Sequence, residues 1–459
     1  MSQAHRSVSI GALDISGPEK DFILVTGWLL DATLDPVKVE NAFAKLVDVW
    51  PVLSARLRTK PDGSWEYQIP TEFSAKRPKY IFKSVTKAGN MAQTYPLPTP
   101  SKEISSHIVT HEPHMDLFAE GGPRSMKDYL KKDIPLIQLQ LTNFEDGCIL
   151  GLTTPHLLCD GHGNKEIGIA LSRLMKGEDV LPLKEGDPLG RYTHNTEPPK
   201  APSNWKVLGI FQMVVMIACM IWNLISARNV QSRVFYIPAS EAKRIKAEAM
   251  ADLKRERPDD KDAWVSTSDA IGAFLLKNTY ASCTSQKPLN VVFASNVRNI
   301  LPDLVPSPYL NNGACAIPTP TMRIADVANK SLGEMAYICR QTIRKWTQPE
   351  SMEGWLRWRF ANAGKPMVFF EPTGAFNVVT NWREMKLMHI DFSGGLPADA
   401  AVEKAHCIYG YAGSFAPWPV QNMFGILHDD PRGGIWVSGV LPQSAWERPE
   451  GFGKFCKPS

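Results

Sequence analysis

The spacing of apolar and polar residues in the first half of the chain predicts strands alternating with helices. An apolar run at residues 22–27 is typical of a buried strand. Apolar residues at helical spacing predict a helix over residues 36–50, and Asp35 is placed to cap its first turn. A second buried strand is predicted at residues 148–154, followed by a helix at about residues 165–176.

The second half of the chain repeats this alternation. Helices are predicted at residues 239–257, 267–278 and 325–346, and strands near residues 290–295, 375–380 and 435–441. The chain has 459 residues, which is enough for two or three domains. Because helices and strands are mixed throughout, the pattern predicts an α/β or α+β fold in two domains.

A long apolar stretch at residues 207–227 lies between the two halves. Only Gln212, Asn223 and Ser226 are polar among its 21 residues. As a helix this stretch would measure about 31 Å, which is long enough to cross a bilayer. Its length alone therefore predicts a transmembrane segment. This prediction has to agree with the positions of the candidate active-site residues before and after the stretch.

The composition is that of a folded globular protein, with 44% apolar and 21% charged residues. Lys and Arg number 51 against 47 Asp and Glu, and no basic run occurs, so we expect no nucleic-acid partner. The eight cysteines include no C-x-x-C pair, which argues against a zinc ribbon or a redox motif. No secretory signal is visible, and we expect a cytoplasmic protein with reduced thiols.

The strongest candidate for chemistry follows the strand at residues 148–154. His156 stands at the end of that strand, and a turn containing Gly161 and Gly163 comes next. An imidazole with a pKa of about 6.5 can accept a proton at neutral pH. Asp160 could orient the ring, or it could face away and anchor the turn, and the sequence leaves both readings open.

Two further polar clusters occur in the second half. One comprises Thr380, Asn381 and Trp382 and is followed by residues 391–395, and the other combines residues 296–298 with residues 309–312. The chain has no G-x-S-x-G, G-x-G-x-x-G or P-loop motif, which removes the usual signatures of serine hydrolases and nucleotide-binding folds. We also expect no metal site, because no set of Cys, His and carboxylate residues converges in the sequence.

In their order and intervals, these clusters resemble the motifs of the BAHD acyltransferase family over nearly the whole chain. His156 to Gly161 matches the His-x-x-x-Asp-Gly motif of that family. Residues 391–395 are a degenerate form of Asp-Phe-Gly-Trp-Gly, in which Ser393 and Gly394 replace the first glycine and the tryptophan. Fungal relatives relax this motif, so the chain looks like a fungal-type member of specialised metabolism.

The resemblance implies an α/β fold of two similar domains, as in chloramphenicol acetyltransferase. Each domain would hold a mixed sheet flanked by helices, and the active-site channel would lie at the domain interface. Acyl-coenzyme A, most often acetyl-coenzyme A, would enter this channel as a co-substrate, and no cofactor would be bound. The acceptor would be a hydroxyl of an apolar terpenoid, polyketide or alkaloid.

The resemblance also implies roles for residues that match the family motifs. His156 would be the general base, and Thr380 and Trp382 would line the oxyanion side, with the Trp382 indole N–H as one possible donor. Asp160 would turn away and pair with Arg298 to support the loop.

Other matched residues would be structural or would face coenzyme A. Asp391 and Asn312 would support the fold. Ser266, Thr267 and Ser268 open a predicted helix on the coenzyme A side, where helix N-terminal N–H groups favour phosphate oxygens.

The domain organisation follows from the same resemblance. Residues 1–190 would form the domain that carries His156, residues 191–232 a crossover linker, and residues 233–459 the second domain. The segment around residues 375–400 would contribute to the interface and to the N-terminal sheet. Because a membrane span at residues 207–227 would separate the two parts of the site, we expect that stretch to pack against the protein or to lie in a membrane surface.

Three alternatives stay open at this point. The chain could use an amine acceptor or a carrier-bound thioester in a condensation-like reaction, or it could be a non-catalytic relative. An intramembrane protein is disfavoured by the two globular halves. A monomer is expected, with possible peripheral membrane contact through residues 207–227.

Overall fold

The computed structural model describes residues 4–94, 106–111, 114–184, 186–194, 200–226, 229–305 and 307–455. Its strands are β1 (His5–Val8), β2 (Ile23–Leu30), β3 (Arg56–Thr59), β4 (Trp65–Pro70), β5 (Ile81–Thr86), β6 (His107–His111), β7 (Gln138–Asn143), β8 (Cys148–Pro155), β9 (Lys206–Val207), β10 (Val230–Ile237), β11 (Pro288–Asn296), β12 (Ala314–Pro318), β13 (Met322–Arg323), β14 (Met367–Val368), β15 (Ala375–Asn381), β16 (Cys407–Phe415), β17 (Met423–Asp429) and β18 (Ile435–Pro442).

The helices alternate with these strands. They are α1 (Pro36–Val49), α2 (Met91–Thr94), α3 (Asp116–Ala119), α4 (Met126–Lys131), α5 (Gly161–Met175), α6 (Ile210–Ser226), α7 (Ala239–Glu256), α8 (Thr267–Thr279), α9 (Val297–Ile300), α10 (Ile324–Asn329), α11 (Leu332–Trp346), α12 (Pro349–Ala361) and α13 (Gln443–Trp446).

Two mixed sheets organise the chain. The first has five strands in the order β16-β2-β8-β7-β5, and only β5 and β7 are parallel in it. The second runs β12-β11-β15-β17-β18-β10-β6, with β13 beside β11. Its parallel pairs are β11 with β15 and β15 with β17. Helix α5 packs on β2 of the first sheet and α1 packs on α5, and α7, α8 and α11 pack together beside the second sheet.

Each half of the chain contributes one strand to the sheet of the other half. Strand β6 pairs with β10, so that His107 lies opposite Tyr236. Strand β16 pairs with β2, so that Tyr411 lies opposite Gly27. The strand that crosses into the first sheet therefore lies beyond residues 375–400, because β15 belongs to the second sheet.

A buried cluster joins the facing sides of the two sheets. It includes Val25 and Ile149 from the first sheet and Trp436 from the second. Phe118 stacks on Tyr411 at a ring-centroid distance of 4.3 Å. Apolar contact thus holds the two sheets face to face.

Local sequence signals placed several elements correctly. Strands β2 and β8 and helices α1 and α5 lie where the pattern predicted them, and the Asp35 side chain accepts a hydrogen bond from the Val37 N–H at 2.8 Å. The single helix expected at residues 325–346 is wrong, because it is divided into α10 and α11. Ser331 caps α11 by accepting from the Glu334 N–H, which starts a new helix there.

Helix α6 occupies most of the apolar stretch, and none of its residues is buried. Of the two placements expected for this stretch, burial against the protein is therefore wrong, and a position in a membrane surface stays a prediction. Within the ranges that the structure describes, no helix is both long and apolar enough to cross a membrane.

The central strand β8 leaves no room for a side chain at Gly151. A Cβ atom there would lie 2.0 Å from the backbone oxygen of Phe118. We predict that Gly151→Ala lowers the free energy of unfolding by about 1–3 kcal/mol, because backbone atoms must move to accept the methyl group. Gly354→Ala is the control, since that helical position is open, and it should raise stability by up to about 1 kcal/mol. Denaturant unfolding of both variants measures the difference, and equal stabilities would contradict a steric conflict at Gly151.

Candidate active site

His156 lies in the turn between β8 and α5. Its backbone N–H donates to the carbonyl of Phe22, next to β2, at 2.8 Å, which fixes the turn to the first sheet. The His156 Nδ1 atom is buried and has no hydrogen-bond partner among the described residues. No structural hydrogen bond from that part of the chain therefore occupies this nitrogen.

The Asp160 carboxylate is buried, and both of its oxygens are engaged away from the imidazole. Oδ1 accepts from the Gly163 N–H at 3.0 Å and so caps helix α5. Oδ2 accepts from Arg298 Nη1 and from the Gly313 N–H, each at 2.8 Å. Of the two readings that the sequence left open, the geometry corresponds to the one in which Asp160 faces away from His156 and anchors the turn.

Asp160 and Arg298 form an ion pair that is almost fully buried. Burial alone would raise the pKa of Asp160, but the Arg298 guanidinium and the N–H donors hold it well below its usual range. Arg298 Nη2 also donates to the carbonyls of Tyr309 and Asn311, so oxygen atoms surround much of its charge. The pair links the His156 turn to the loop after α9.

Asn312 connects this loop to the His156 turn directly. Its side-chain nitrogen donates to the His156 carbonyl at 2.7 Å and to Asp14 Oδ1 at 2.6 Å. Asp14 also accepts from the Asn312 N–H and from the Asn311 side chain. Burial is the largest influence on Asp14 and raises its pKa well above the usual range.

Asp14 was not predicted from the sequence, because a single acidic residue near the N-terminus has no motif around it. Contacts made by Tyr67 and Asn164 were also missed. The Tyr67 hydroxyl donates to the Leu157 carbonyl at 2.8 Å. Asn164 accepts from Thr154 and donates to Thr26, which ties α5 to the first sheet. All of these are non-local contacts that periodicity does not reveal.

Thr380 and Trp382 lie at the end of β15, and Trp382 reaches the His156 turn. The Trp382 indole N–H donates to Thr380 Oγ1 at 2.9 Å. The indole ring lies against Gly161, where a Cβ atom would be 2.8 Å from ring carbon Cη2. The indole N–H is therefore already engaged, whereas the Thr380 hydroxyl keeps its own proton to donate.

Asp391 lies at the other end of helix α5. It accepts from Lys176 at 2.7 Å and from the backbone and hydroxyl of Ser393. Burial alone would raise the pKa of Asp391, but these bonds lower it to about 2. Since α5 has 15 residues, Asp391 is about 22 Å along the helix from the His156 turn.

Close packing explains why residue 394 is a glycine. A Cβ atom there would lie 2.6 Å from the Met175 carbonyl carbon and 2.7 Å from the Lys176 nitrogen. The loop therefore approaches the end of α5 too closely for the tryptophan of the family motif. The replacement of the motif tryptophan by Gly394 is therefore explained by the packing at the end of α5.

Ser266, Thr267 and Ser268 form the start of helix α8, and two of their hydroxyls are engaged. Ser266 and Asp269 form a reciprocal capping box. Ser268 Oγ accepts from the Asn381 side chain at 3.1 Å, which joins α8 to the segment that carries Thr380. Thr267 makes no side-chain hydrogen bond with any described residue.

The structure thus brings together most of the candidate residues that the sequence suggested. His156, Asp160, Arg298 and Asn312 share one network, and Trp382 contacts that network at Gly161. Asp391 lies apart from it. Within the described ranges, no group of three or more His, Cys, Asp or Glu side chains could hold a metal ion.

The fold is shared with a crystal structure of Fusarium graminearum TRI101, described as complexed with coenzyme A and deoxynivalenol. The two chains are 16% identical, each is covered to 98%, and the TM-score is 0.67. This likeness confirms the expected class of two similar domains with mixed sheets flanked by helices.

Two fungal relatives align over most of the chain. The "O-acetyltransferase PaAT-2" of Phomopsis amygdali is 26% identical, with 94% of each protein covered. The "Transcriptional regulator calD" of Penicillium decumbens is 25% identical, with 96% of this chain and 94% of the relative covered.

A family model described as "Transferase family" matches residues 118–410, which is more than half of the chain. The chain belongs to this family, whose BAHD-type members are acyl-coenzyme A-dependent acyltransferases. The resemblance noted in the motifs is thereby confirmed.

The buried ion pair predicts a pH-dependent loss of stability in Asp160→Asn. The lowered pKa means that the unfolded chain binds more protons near pH 4, so the pair stabilises the fold fully above about pH 4 and loses this effect as the pH falls further. We expect Asp160→Asn to lower the free energy of unfolding by about 3–5 kcal/mol at neutral pH. The gap to the wild type should narrow below about pH 4 in denaturant titrations.

The exposed variant Asp399→Asn is the control and should show little change at any pH. A gap for Asp160→Asn that stays constant as the pH falls would contradict the assignment of its stability to the ionised carboxylate.

Proposed function

We propose that the protein transfers an acyl group, most often acetyl, from coenzyme A to a hydroxyl of an apolar secondary metabolite, with His156 as general base. The imidazole takes the hydroxyl proton while the oxygen attacks the thioester carbonyl. The tetrahedral intermediate then collapses and expels the coenzyme A thiolate, which receives the proton from the imidazolium. No covalent enzyme intermediate is needed, because the thioester is already activated.

This proposal rests on one observation, the different hydrogen bonding of Asp160 and His156 in the same turn. Asp160 is saturated by Arg298 and two backbone N–H groups, whereas the His156 Nδ1 atom has no partner among the described residues. Because the Asp160 carboxylate is occupied by structural bonds, it does not pair with the imidazole, and this suits His156 to proton transfer. We therefore assign Asp160 to loop support, together with Arg298 and Asn312.

The Thr380 hydroxyl is the oxyanion donor in this proposal. Trp382 donates to Thr380 Oγ1, so the indole orients the hydroxyl and leaves the hydroxyl proton free for the developing charge. A donor held in place before the reaction stabilises the oxyanion without reorganisation. Trp382 acts here as a positioning residue.

The start of α8 is proposed to face coenzyme A. The N–H groups of a helix N-terminus favour phosphate oxygens, and Ser266, Thr267 and Ser268 lie at this end. The bond from Asn381 to Ser268 supports this placement, because it couples the α8 end to the segment of Thr380. Asp391 is kept as a structural residue at the far end of α5.

The proposal keeps the domain division at residues 1–190, 191–232 and 233–459, with the two substrates meeting between the outer parts. The strands exchanged between the two sheets support a site built from both halves. The enzyme would work as a cytoplasmic monomer. It would contact membranes peripherally through residues 207–227.

A non-catalytic role is the second candidate, because the relative from Penicillium decumbens is named a transcriptional regulator. The retained His156 and the buried Asp160–Arg298 pair favour catalysis over this role. A carrier-bound thioester or an amine acceptor would use the same base. Varying the acyl donor and the acceptor in an activity assay separates these possibilities.

Thiol release from acetyl-coenzyme A, measured with a panel of apolar alcohols, tests the acyltransferase proposal. We expect release that depends on the alcohol and falls by about two to four orders of magnitude in His156→Ala. His406→Ala removes an exposed imidazole and should behave as the wild type. Full release by His156→Ala would contradict the base assignment. No release with any alcohol or any longer acyl donor would favour the carrier-bound or non-catalytic readings.

The oxyanion assignment predicts separate effects for two substitutions at one position. Thr380→Val removes the hydroxyl at nearly constant volume and should lower kcat by about a hundredfold to a thousandfold with little change in KM. Thr380→Ser keeps the hydroxyl and should retain most of the activity. Steady-state kinetics on both variants provide the measurement, and a fully active Thr380→Val would remove this residue from the mechanism.

A further inference from the structure

Helix α6 exposes an unusual amount of apolar surface. It contains no charged residue and no buried one. Nine of the 17 large apolar side chains that are exposed in the described part of the chain belong to this helix, and their exposed fractions run from 39% to 81%. Contiguous apolar patches of this kind are rare on proteins that contact only water.

The exposed apolar surface of α6 covers more of the helix circumference than is usual for a surface helix in water. At 100° per residue, the exposed apolar arc is about 200° wide. It runs from Met220 through Ile217 and Ile221 to Phe211 and Trp222.

The polar residues of α6 lie outside this arc, and of these Asn223 contacts the body of the protein. Asn223 accepts a hydrogen bond from Lys287 at 3.0 Å, and Gln212 accepts from the Gly209 N–H at 3.1 Å. Met216 packs against a small apolar cluster of the protein that contains Val368. The apolar face therefore points away from the body of the protein.

Both ends of α6 are held on the body of the protein. Strand β9 pairs with β14 just before the helix, and β10 enters the second sheet just after it. The helix has 17 residues and measures about 25 Å, whereas about 20 apolar residues are needed to cross the hydrocarbon core. The helix can enter an apolar layer only from the side, parallel to its surface.

We propose that α6 is an interfacial anchor that lies in the surface of a lipid bilayer. A second copy of the chain would cover a stripe of about 100°, which is the usual width of a helix face against a protein partner, and would leave both edges of the arc in water. A bilayer covers the whole arc, including Phe211 and Trp222 at one edge. Amphipathic helices bind membranes in this orientation, with the apolar face buried at the boundary between headgroups and acyl chains.

This inference rests on the proposed membrane contact and gives it a defined surface. It implies that the apolar acceptor is met at the bilayer, where such molecules concentrate. Acyl-coenzyme A, which is charged, would still arrive from water.

Flotation of the purified full chain with vesicles of phosphatidylcholine and a minority of phosphatidylserine tests the anchor. We expect the wild type to float, and the triple variant Phe211→Asp, Ile221→Asp, Trp222→Asp to lose at least about a hundredfold in partitioning. The control replaces three exposed apolar residues outside α6, as Val37→Asp, Leu181→Asp and Val402→Asp, and should float as the wild type does.

Sedimentation and extraction define the contrary outcomes. A wild type that stays in the aqueous fraction, or a triple variant that floats equally well, would overturn the anchor. A wild-type dimer that dissociates in the triple variant, without flotation, would assign the arc to a second copy. Resistance of the membrane-bound protein to carbonate would contradict a peripheral helix.

A milder substitution keeps the test informative if the triple variant does not fold. Quenching of tryptophan fluorescence by brominated lipid should be weaker in Trp222→Phe than in the wild type, and equal quenching would contradict the orientation. Thiol release without lipid, with an alcohol that dissolves in water, separates failure of the anchor from failure of the acyltransferase proposal.

Discussion

The buried ion pair between Asp160 and Arg298 is the interaction on which the geometry of the site depends. Removing two charges from water is costly, and the cost is offset here because both carboxylate oxygens and both terminal guanidinium nitrogens find partners. The two residues are 138 positions apart. Their pairing fixes the His156 turn against a loop from the other half of the chain, so the contribution of the pair is the alignment of two halves at one point.

Helix α5 connects this ion pair to the loop around Asp391. Asp160 caps its start, and the loop around Asp391 holds its end through Lys176 and the close approach of Gly394. The two motifs that are widely separated in sequence thus act on the two ends of one helix. This arrangement explains how a degenerate motif can matter for the position of His156 although it lies far from that residue.

The sequence was informative where structure is local. Helix α1 with its Asp35 cap, strand β8 and helix α5 follow from spacing and capping within a few residues. The non-local pairings could not be predicted from the sequence: the exchange of β6 and β16 between sheets and the bonds from Asn311 and Asn312 to Asp14 depend on the folded chain. Ser331 is a residue type that commonly caps helices, but the helical periodicity on both sides of it predicted one continuous helix.

The apolar stretch shows how mechanism and structure constrain a segment together. Hydropathy alone predicted a membrane span, and a site shared by both halves required that the chain return to the same side. The structure meets both demands with a helix that is attached at each end and turns its apolar face outward. Water is a poor solvent for that face, whereas a bilayer is a good one for both the helix and an apolar acceptor. An exposed apolar face that would be unfavourable in water therefore suits the proposed enzyme, which would meet its acceptor in lipid and its acyl donor in water.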